Sequence, residues 1–184
     1  MSKTAFTSVG FLLSDCWSSP FSRWHRSLED MNSIDLAVSV TDRALRERSL
    51  DPGAIGEVIL GITIPQPTAF YGAPTLAARL GATHSTGAMI AQACATSVAG
   101  IAAAARIVEL GAEEPVLVIM TDRTSRGPQI TYPASESSGA SDMHENWVMD
   151  NFERDPWGGT SMAMTAELVA HCLLYTSPSP RDAT

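Results

Sequence analysis

The residue in this sequence best suited to covalent chemistry is Cys94, in the stretch AQACATSVAG at residues 91–100. A short apolar run precedes it and a long alanine-rich run follows it, which predicts a cysteine at the start of a helix. Unpaired N–H groups and the dipole at a helix N-terminus stabilise a thiolate, the nucleophilic form of cysteine. The spacing equally suits a buried structural cysteine, because free cysteine is among the most buried residue types.

The other residues with reactive or metal-binding side chains match no known site pattern. The three cysteines form no CxxC pair, and their odd number argues against a disulfide framework. The four histidines are far apart and match no zinc spacing, so no metal site is predicted: His25, His84, His144 and His171. The sequence also lacks GxGxxG and GxxxxGK[ST], so it gives no support to dinucleotide or P-loop binding.

The composition excludes several classes of protein. The chain has 184 residues, of which 45% are hydrophobic and 17% charged, as in globular α/β proteins. Its net charge of −8 argues against nucleic-acid binding, which needs an excess of Lys and Arg. No apolar run approaches the roughly 20 residues of a membrane span. The N-terminal stretch lacks a small-residue cleavage site, so we expect a cytoplasmic protein.

Strand-like and helix-like patterns alternate along the chain, and they must position Cys94. Compact β-branched or apolar runs predict strands at residues 5–13, 57–65, 86–94 and 115–122. Helical spacing predicts helices at residues 34–50, with Ser33 as N-cap, and at 74–80, 97–111 and 161–171. This alternation predicts an α/β fold with a largely parallel sheet covered by helices.

Residues 124–160 differ in character, because they are rich in Ser, Gly, Pro, Asp and Met. We expect a long loop here, with a functional role or an oligomer contact. Arg123 and Arg126, near its start, suit either contact with a phosphate or a turn. Four polar residues suggest acid–base chemistry, although a solvated loop face is the expected role: Asp142, His144, Glu145 and Asp150.

Five segments together resemble the N-terminal half of the thiolases, the acetyl-CoA acetyltransferase family. They are SSPFSRW (18–24), GEVILG (56–61), AQACATSVAGIAAAARIVELG (91–111), TDRTSRGPQITYP (121–133) and MAMTAELVA (162–170). Their order and spacing agree with the family over nearly all of residues 5–171. The third segment resembles the family's N-x-x-C-x-S-G-x-x-A element, which contains its nucleophilic cysteine.

The resemblance implies a fold and an activity. The fold would be the N-terminal half of a layered αβαβα architecture with a mostly parallel mixed sheet. Cys94 would attack an acyl-CoA thioester, release coenzyme A and hold the acyl group, which is covalent catalysis by an activated thiolate. Coenzyme A thioesters would be substrates, with no resident cofactor. The whole enzyme would be a homodimer or homotetramer of fatty-acid or lipid metabolism.

The sequence departs from the family at several positions. The usual C-x-S-G becomes Cys-Ala-Thr-Ser at residues 94–97, and the usual G-G-M-E becomes Thr-Asp-Arg-Thr at 121–124. The family's His-Met-Gly before T-A-E becomes Ser161, Met162 and Ala163. Met162 is therefore a candidate substrate-binding residue or an ordinary core methionine. The family's general-base histidine and second cysteine belong to its C-terminal half, so we expect this chain alone to be inactive.

Two further expectations concern the chain's end and the rival functions. Residues 172–184 contain Ser-Pro-Ser-Pro, which cannot continue a helix, so we expect a domain over 1–171 followed by a non-native tail. One rival function is a thiolase-fold protein that binds acyl-CoA or lipid, or acts as a scaffold, without turnover. The other is a β-ketoacyl synthase, although Ala91-Gln92-Ala93-Cys94-Ala95 fits the usual surroundings of that enzyme's cysteine less well.

Overall fold

The computed structural model describes residues 6–10 and 16–173, which form two compact units. The first extends to Gly127 and the second begins at Pro128. The first contains α1 (Ser33–Glu47), β1 (Glu57–Gly61), α2 (Gly72–Leu80), β2 (Met89–Ile90), α3 (Thr96–Glu109) and β3 (Val116–Met120). Short 3₁₀ turns lie at Pro52–Ala54, Ala69–Tyr71 and Ala93–Ala95. The second contains β4 (Gln129–Tyr132), β5 (Met143–Asn146), α4 (Met149–Glu153) and α5 (Met162–Cys172).

The strands of the first unit form a parallel sheet in the order β2-β1-β3. The register places Leu60 of β1 opposite Met89 on one side and Ile119 on the other. Each strand is followed by a helix or a loop before the next parallel strand, as the alternating sequence pattern predicts. The predicted α/β class and parallel sheet are therefore confirmed.

Helices cover both faces of this sheet. Successive residues of a strand point to opposite faces, and two neighbouring residues of β1 contact different helices. Leu60 faces α1 and α2: a Cβ added to Gly72 of α2 would lie 2.7 Å from the Leu60 side chain and 3.7 Å from Ile34 of α1. Gly61 faces α3, where an added Cβ would lie 2.7 Å from Thr96. Ile34, Leu60 and Leu76 are at most 1% exposed, and burial of such a side chain contributes about 1.5–3 kcal/mol.

The start of α1 differs by one residue from the prediction. Asn32, not Ser33, is the N-cap, because its side-chain oxygen accepts a hydrogen bond of 2.8 Å from the backbone N–H of Ile34. The Asn32 amide also donates to the carbonyl of Pro67, which joins the helix start to the loop after β1. Ser33 is already inside the helix and buried. The helix ends at Glu47, three residues before the predicted end.

The predicted strands are longer than the observed ones. The strand expected at 57–65 ends at Gly61, and that expected at 86–94 contains only Met89 and Ile90. Beyond Ile90 the backbone bends into the 3₁₀ turn that contains Cys94, so it stops following β1. The strand expected at 5–13 lies partly outside the described residues, and residues 6–10 do not form a strand.

The second unit corrects the expectation of a structureless loop at 124–160. β4 and β5 pair as an antiparallel hairpin, in which Gln129 lies opposite Asn146, and α4 follows. The predicted helix at 161–171 is observed as α5, whose N-cap Ser161 accepts a 3.1 Å hydrogen bond from the N–H of Met164. Residues 174–184, most of the predicted non-native tail, lie outside the described residues. Among the described helices, none has the length and apolar character to cross a membrane.

Candidate active site

Cys94 lies where the chain passes from a strand of the sheet to a helix. β2 ends at Ile90, residues Ala93–Ala95 form a single 3₁₀ turn, and α3 begins at Thr96. The thiol is free and the residue is exposed, so the interpretation of Cys94 as a buried structural cysteine is wrong for the described chain. The residue therefore lies immediately before a 14-residue helix, where the sequence pattern predicts it.

The backbone immediately before Cys94 is strained. Ala93 has a φ of 46°, in the left-handed region that non-glycine residues seldom adopt. Such a conformation costs about 1–2 kcal/mol and persists only where the surrounding structure enforces it. Strained backbone of this kind is common at functional sites. The turn that carries Cys94 therefore depends on nearby contacts for its shape.

Those contacts come from the side chain of Thr96, the first residue of α3. Its hydroxyl donates to the carbonyl of Ala93 at 2.7 Å and accepts from the N–H of Gln92 at 2.8 Å. It also lies 3.0 Å from the hydroxyl of Thr63, beyond the end of β1. Thr96 is only 6% exposed, although residues 91–95 are all exposed. One buried hydroxyl thus joins the two residues before Cys94 to the helix after it.

Asp122 ties the loop after β3 to the loop after β1. Its carboxylate accepts from the N–H of Thr63 at 3.0 Å and from the N–H of Ile64 at 2.8 Å. Loss of hydration raises the pKa of this carboxyl group, and the hydrogen bonds from Ile64 and Thr63 offset only part of that rise. The residue is exposed overall, so the effect arises locally, where the carboxylate meets the backbone. The loops after all three strands are therefore linked at the carboxyl edge of the sheet.

Small residues let α3 approach the sheet closely behind the cysteine turn. A Cβ on Gly61 would overlap the sulfur of Met120 and lie 2.7 Å from the methyl group of Thr96. A Cβ on Gly100 would overlap the terminal methyl of Met120 and lie 3.5 Å from Val118. The two glycines therefore leave the space that Met120 and Thr96 fill. Larger residues there would push Thr96, and with it the cysteine turn, away from the sheet.

The raised pKa of Asp122 should make the free energy of unfolding depend on pH. The folded protein holds the Asp122 proton more tightly than the unfolded chain, whose pKa is near 3.8. The stabilisation contributed by protonated Asp122 is therefore fully present below the pKa of the unfolded chain. It is lost as the pH rises through the pKa of the folded protein. We expect the wild type to exceed Asp122→Asn in free energy of unfolding, measured with urea, by more at about pH 3.5 than near neutral pH. An advantage that grows with pH would contradict this assignment.

Met162, the other predicted site residue, is the first residue of α5 in the second unit. It is 39% exposed, so it is not a core methionine within the described chain. None of the residues of α5 is buried. The role of Met162 in substrate binding stays a prediction.

The remaining polar candidates make local structural contacts. Arg126 has a φ of 52°, as in a turn, and its guanidinium pairs with Asp30 at 2.6 Å and Glu29 at 3.6 Å. Arg123 donates to the carbonyl of Met31 at 3.2 Å. All four histidines are exposed, as expected for surface or loop positions.

The acidic cluster of the second unit makes hydrogen bonds within the hairpin and to the helix that follows it. The Asp142 carboxylate accepts from the N–H of Ala134 at 3.0 Å. Glu145 accepts from the hydroxyl of Tyr132 and from the amide of Asn151. His144 lies 3.0 Å from the Thr131 hydroxyl, and Asp150 accepts from the N–H of Asn146 at 2.8 Å. These contacts fit the expectation of a solvated face.

Thr63 and Asp122 were not predicted to be site residues, and Thr96 was predicted only to lie near the start of the helix after Cys94, at a departure from the family motif. One available signal was their position, because Thr63 and Asp122 lie near the carboxyl ends of the strands predicted at 57–65 and 115–122. The carboxyl ends of neighbouring parallel strands meet at one edge of a sheet, where open α/β proteins place their ligands. That rule predicts their proximity to Cys94 but not their hydrogen bonds.

Comparison with known proteins gives a family match and a fold match. A protein-family model for the thiolase N-terminal domain matches residues 15–174 of the sequence. The structure of human mitochondrial 3-ketoacyl-CoA thiolase is 22% identical, with a TM-score of 0.75 over 85% of this chain and 40% of that chain. A thiolase of Ascaris suum in complex with coenzyme A is 18% identical, with a TM-score of 0.69 over 82% of this chain and 40% of that chain. At these identities the two structures establish the fold.

A third relative belongs to a different type of enzyme. Beta-ketoacyl-[acyl-carrier-protein] synthase III 3 of Streptomyces coelicolor is 37% identical over 92 residues. The match covers 50% of this chain and 28% of that synthase. The chain therefore spans well under half the length of each of these relatives.

Proposed function

This chain belongs to the thiolase family, and we propose that it supplies the nucleophilic half of an acyltransferase that moves acyl groups between coenzyme A thioesters through Cys94. The observation that carries the proposal is the exposed, free thiol of Cys94 in a strained turn at the start of α3. The family match over residues 15–174 supports it. Coenzyme A in the Ascaris suum relative supports the substrate class.

The first chemical step follows from the position of the thiol. The Cys94 thiolate adds to the carbonyl carbon of the thioester and forms a new C–S bond. Backbone N–H groups at the start of α3, including that of Cys94, stabilise the oxyanion of the tetrahedral intermediate. The intermediate then collapses, the bond to the coenzyme A sulfur breaks, and coenzyme A leaves as a thiolate that takes up a proton. The acyl group remains on Cys94.

The second step transfers the acyl group and needs groups outside the residues described. In a Claisen condensation, the α-carbon of a second acyl-CoA attacks the acyl-cysteine; in thiolysis, the acceptor is coenzyme A itself. By resemblance, the family's C-terminal half supplies a general-base histidine, which activates the nucleophilic cysteine, and a second cysteine, which removes the α-proton of the acyl group that attacks. None of the four histidines of this chain matches the family's motif for the general base. We therefore propose that the chain alone does not catalyse acyl transfer.

Several finer properties belong to the same proposal. They are a homodimeric or homotetrameric assembly, a cytoplasmic location, a role in fatty-acid or lipid metabolism, and acyl-CoA substrates used without a resident cofactor. Met162 is proposed to contact the acyl-CoA substrate.

Two observations define the competing functions. Ser161 replaces the histidine that thiolases carry before Met162, which favours a protein that binds acyl-CoA without turnover. The 37% identity to the Streptomyces synthase over 92 residues favours transfer from an acyl carrier protein instead. The nucleophile is a cysteine in the synthase alternative as well, so the acyl donor separates the candidates.

The experiment that tests the proposal offers the two donors separately. A polypeptide that contains this chain and the rest of a thiolase-length enzyme is incubated with acetyl-CoA or with acetylated acyl carrier protein, and its intact mass is measured with and without Cys94→Ala. We expect a Cys94-dependent acetyl adduct from acetyl-CoA. Binding of acetyl-CoA with no adduct would favour the non-catalytic alternative, and an adduct formed only from the carrier protein would favour the synthase.

A further inference from the structure

We propose that Thr96 is a positioning residue for Cys94, and that Thr63 holds the Thr96 hydroxyl in place. The inference rests on the proposed role of Cys94 as nucleophile. Thr96 itself touches no reacting atom in this scheme. It acts by fixing the strained turn that carries the thiol at the start of α3.

The hydrogen-bond directions around Thr96 leave its hydroxyl with no unused capacity. A hydroxyl group has one proton and two lone pairs. The carbonyl of Ala93 can only accept, so the Thr96 proton is committed to it at 2.7 Å. The N–H of Gln92 can only donate, so it occupies one lone pair at 2.8 Å. The contact of 3.0 Å with Thr63 must then be a hydrogen bond donated by Thr63 to the second lone pair.

These three bonds act on the part of the backbone that needs support. Gln92 and Ala93 precede Cys94, and Thr96 follows it, so the hydroxyl closes a ring around the cysteine. Ala93 holds its φ of 46° inside that ring. Without the hydroxyl, the N–H of Gln92 loses this partner and the Ala93 carbonyl loses one of its two donors, since the backbone N–H of Thr96 also bonds to it. The strained conformation would then lose part of its support.

Thr63 anchors this ring to the sheet. It follows β1, whose last residue, Gly61, is hydrogen-bonded through its carbonyl to the N–H of Thr121 at 3.0 Å. The backbone N–H of Thr63 is in turn held by the Asp122 carboxylate at 3.0 Å. Hydrogen bonds through Thr63 thus connect the Cys94 turn to the central strand of the sheet, and this connection fixes the position of the turn. A precise thiol position matters because small displacements of a reacting group cost large factors in rate.

The test compares variants that separate the hydroxyl of Thr96 from its methyl group. Thr96→Val keeps the shape and removes the hydroxyl, and Thr96→Ser keeps the hydroxyl and removes the methyl. Ser97→Ala is the matched control, because it removes an exposed hydroxyl one residue further along α3. Each variant of the 184-residue chain is treated with iodoacetamide, and alkylation of Cys94 and Cys172 is followed in the same sample by peptide mass spectrometry.

We expect Thr96→Val to slow alkylation of Cys94 by roughly tenfold, because the hydrogen bonds of the Thr96 hydroxyl that hold the cysteine turn are lost. Cys172 should keep its rate, since it lies in the other unit and is also exposed. Thr96→Ser and Ser97→Ala should stay within about twofold of wild type. A Thr96→Val protein with an unchanged Cys94 rate would overturn the proposal, as would a Thr96→Ser protein as slow as Thr96→Val.

A second variant covers the case in which Thr96→Val does not fold. Thr63→Val removes the donor to Thr96 from a partly exposed position and leaves the Thr96 hydroxyl in place. We expect it to slow Cys94 alkylation several-fold with Cys172 unchanged, and an unchanged Cys94 rate would overturn the proposal. Iodoacetamide needs no acyl-CoA site, so a negative result here differs from failure of the acetyl-CoA experiment, which concerns the proposed function.

Discussion

Replacement of Cys94 by alanine is expected to reduce acyl transfer by at least about a thousandfold in a polypeptide that contains this chain and the rest of a thiolase-length enzyme. Without the thiolate there is no acyl-cysteine intermediate, and the reaction would have to pass directly between two coenzyme A thioesters. The measurement is the rate of release of free coenzyme A from acetyl-CoA, followed with a thiol reagent.

The chain provides matched controls for that substitution. Cys16 and Cys172 also form no disulfide within the described residues and are exposed, but neither lies between a strand of the parallel sheet and the helix that follows it. Cys16→Ala and Cys172→Ala should therefore retain the wild-type rate within about twofold, as surface substitutions usually do. A Cys94→Ala protein with more than about a tenth of the wild-type rate would contradict the role of this residue as nucleophile.

Gly87→Ala is expected to be the most destabilising single-methyl substitution in the first unit. A Cβ at this position would overlap the carbonyl oxygen of Val58 and lie 2.7 Å from its carbonyl carbon. Those atoms are backbone of β1, where Val58 is completely buried, so they cannot move aside as a flexible side chain would. The hydrogen bond of 2.9 Å from Val58 N–H to the Thr86 carbonyl holds the two segments together.

The expected loss in free energy of unfolding for Gly87→Ala is about 3 kcal/mol, at the upper end of the usual range for overpacking. For a chain of this length that corresponds to a fall of roughly 10 °C in melting temperature, measurable by circular dichroism. Gly10→Ala is the control, because a Cβ at Gly10 would meet no atom within 4 Å. A Gly87→Ala melting temperature within 2 °C or so of wild type would show that β1 and the segment before β2 are less tightly packed than described.

The sequence predicted those parts of the fold that depend on local pattern. The run EVILG contains consecutive apolar residues, two of them β-branched, and it forms the central strand as expected. Gly81 ends α2 with a φ of 89°, which is the left-handed conformation that favours glycine at this position. The strand-to-helix passage around Cys94 was also predicted from the change in pattern at that point.

Other features depend on contacts between distant residues and could not be predicted in this way. Thr63 and Thr96 are 33 residues apart, and no local pattern signals that their hydroxyls meet. The hairpin at 129–146 was missed because β4 and β5 (QITY and MHEN) contain few apolar residues and are stabilised by pairing with each other. The N-cap of α1 was assigned to Ser33 because both Asn and Ser favour that position, and only the structure distinguishes them.

The central claim is that Cys94 carries the acyl group between coenzyme A thioesters, and one measurement tests it directly. A polypeptide that contains this chain and the rest of a thiolase-length enzyme is mixed with acetyl-CoA carrying a labelled acetyl group, digested, and mapped by tandem mass spectrometry, before and after a chase with unlabelled coenzyme A. We predict label on the Cys94 peptide alone, and its loss during the chase as labelled acetyl-CoA reappears. A Cys94 peptide without label, or label that coenzyme A does not remove, would contradict the account.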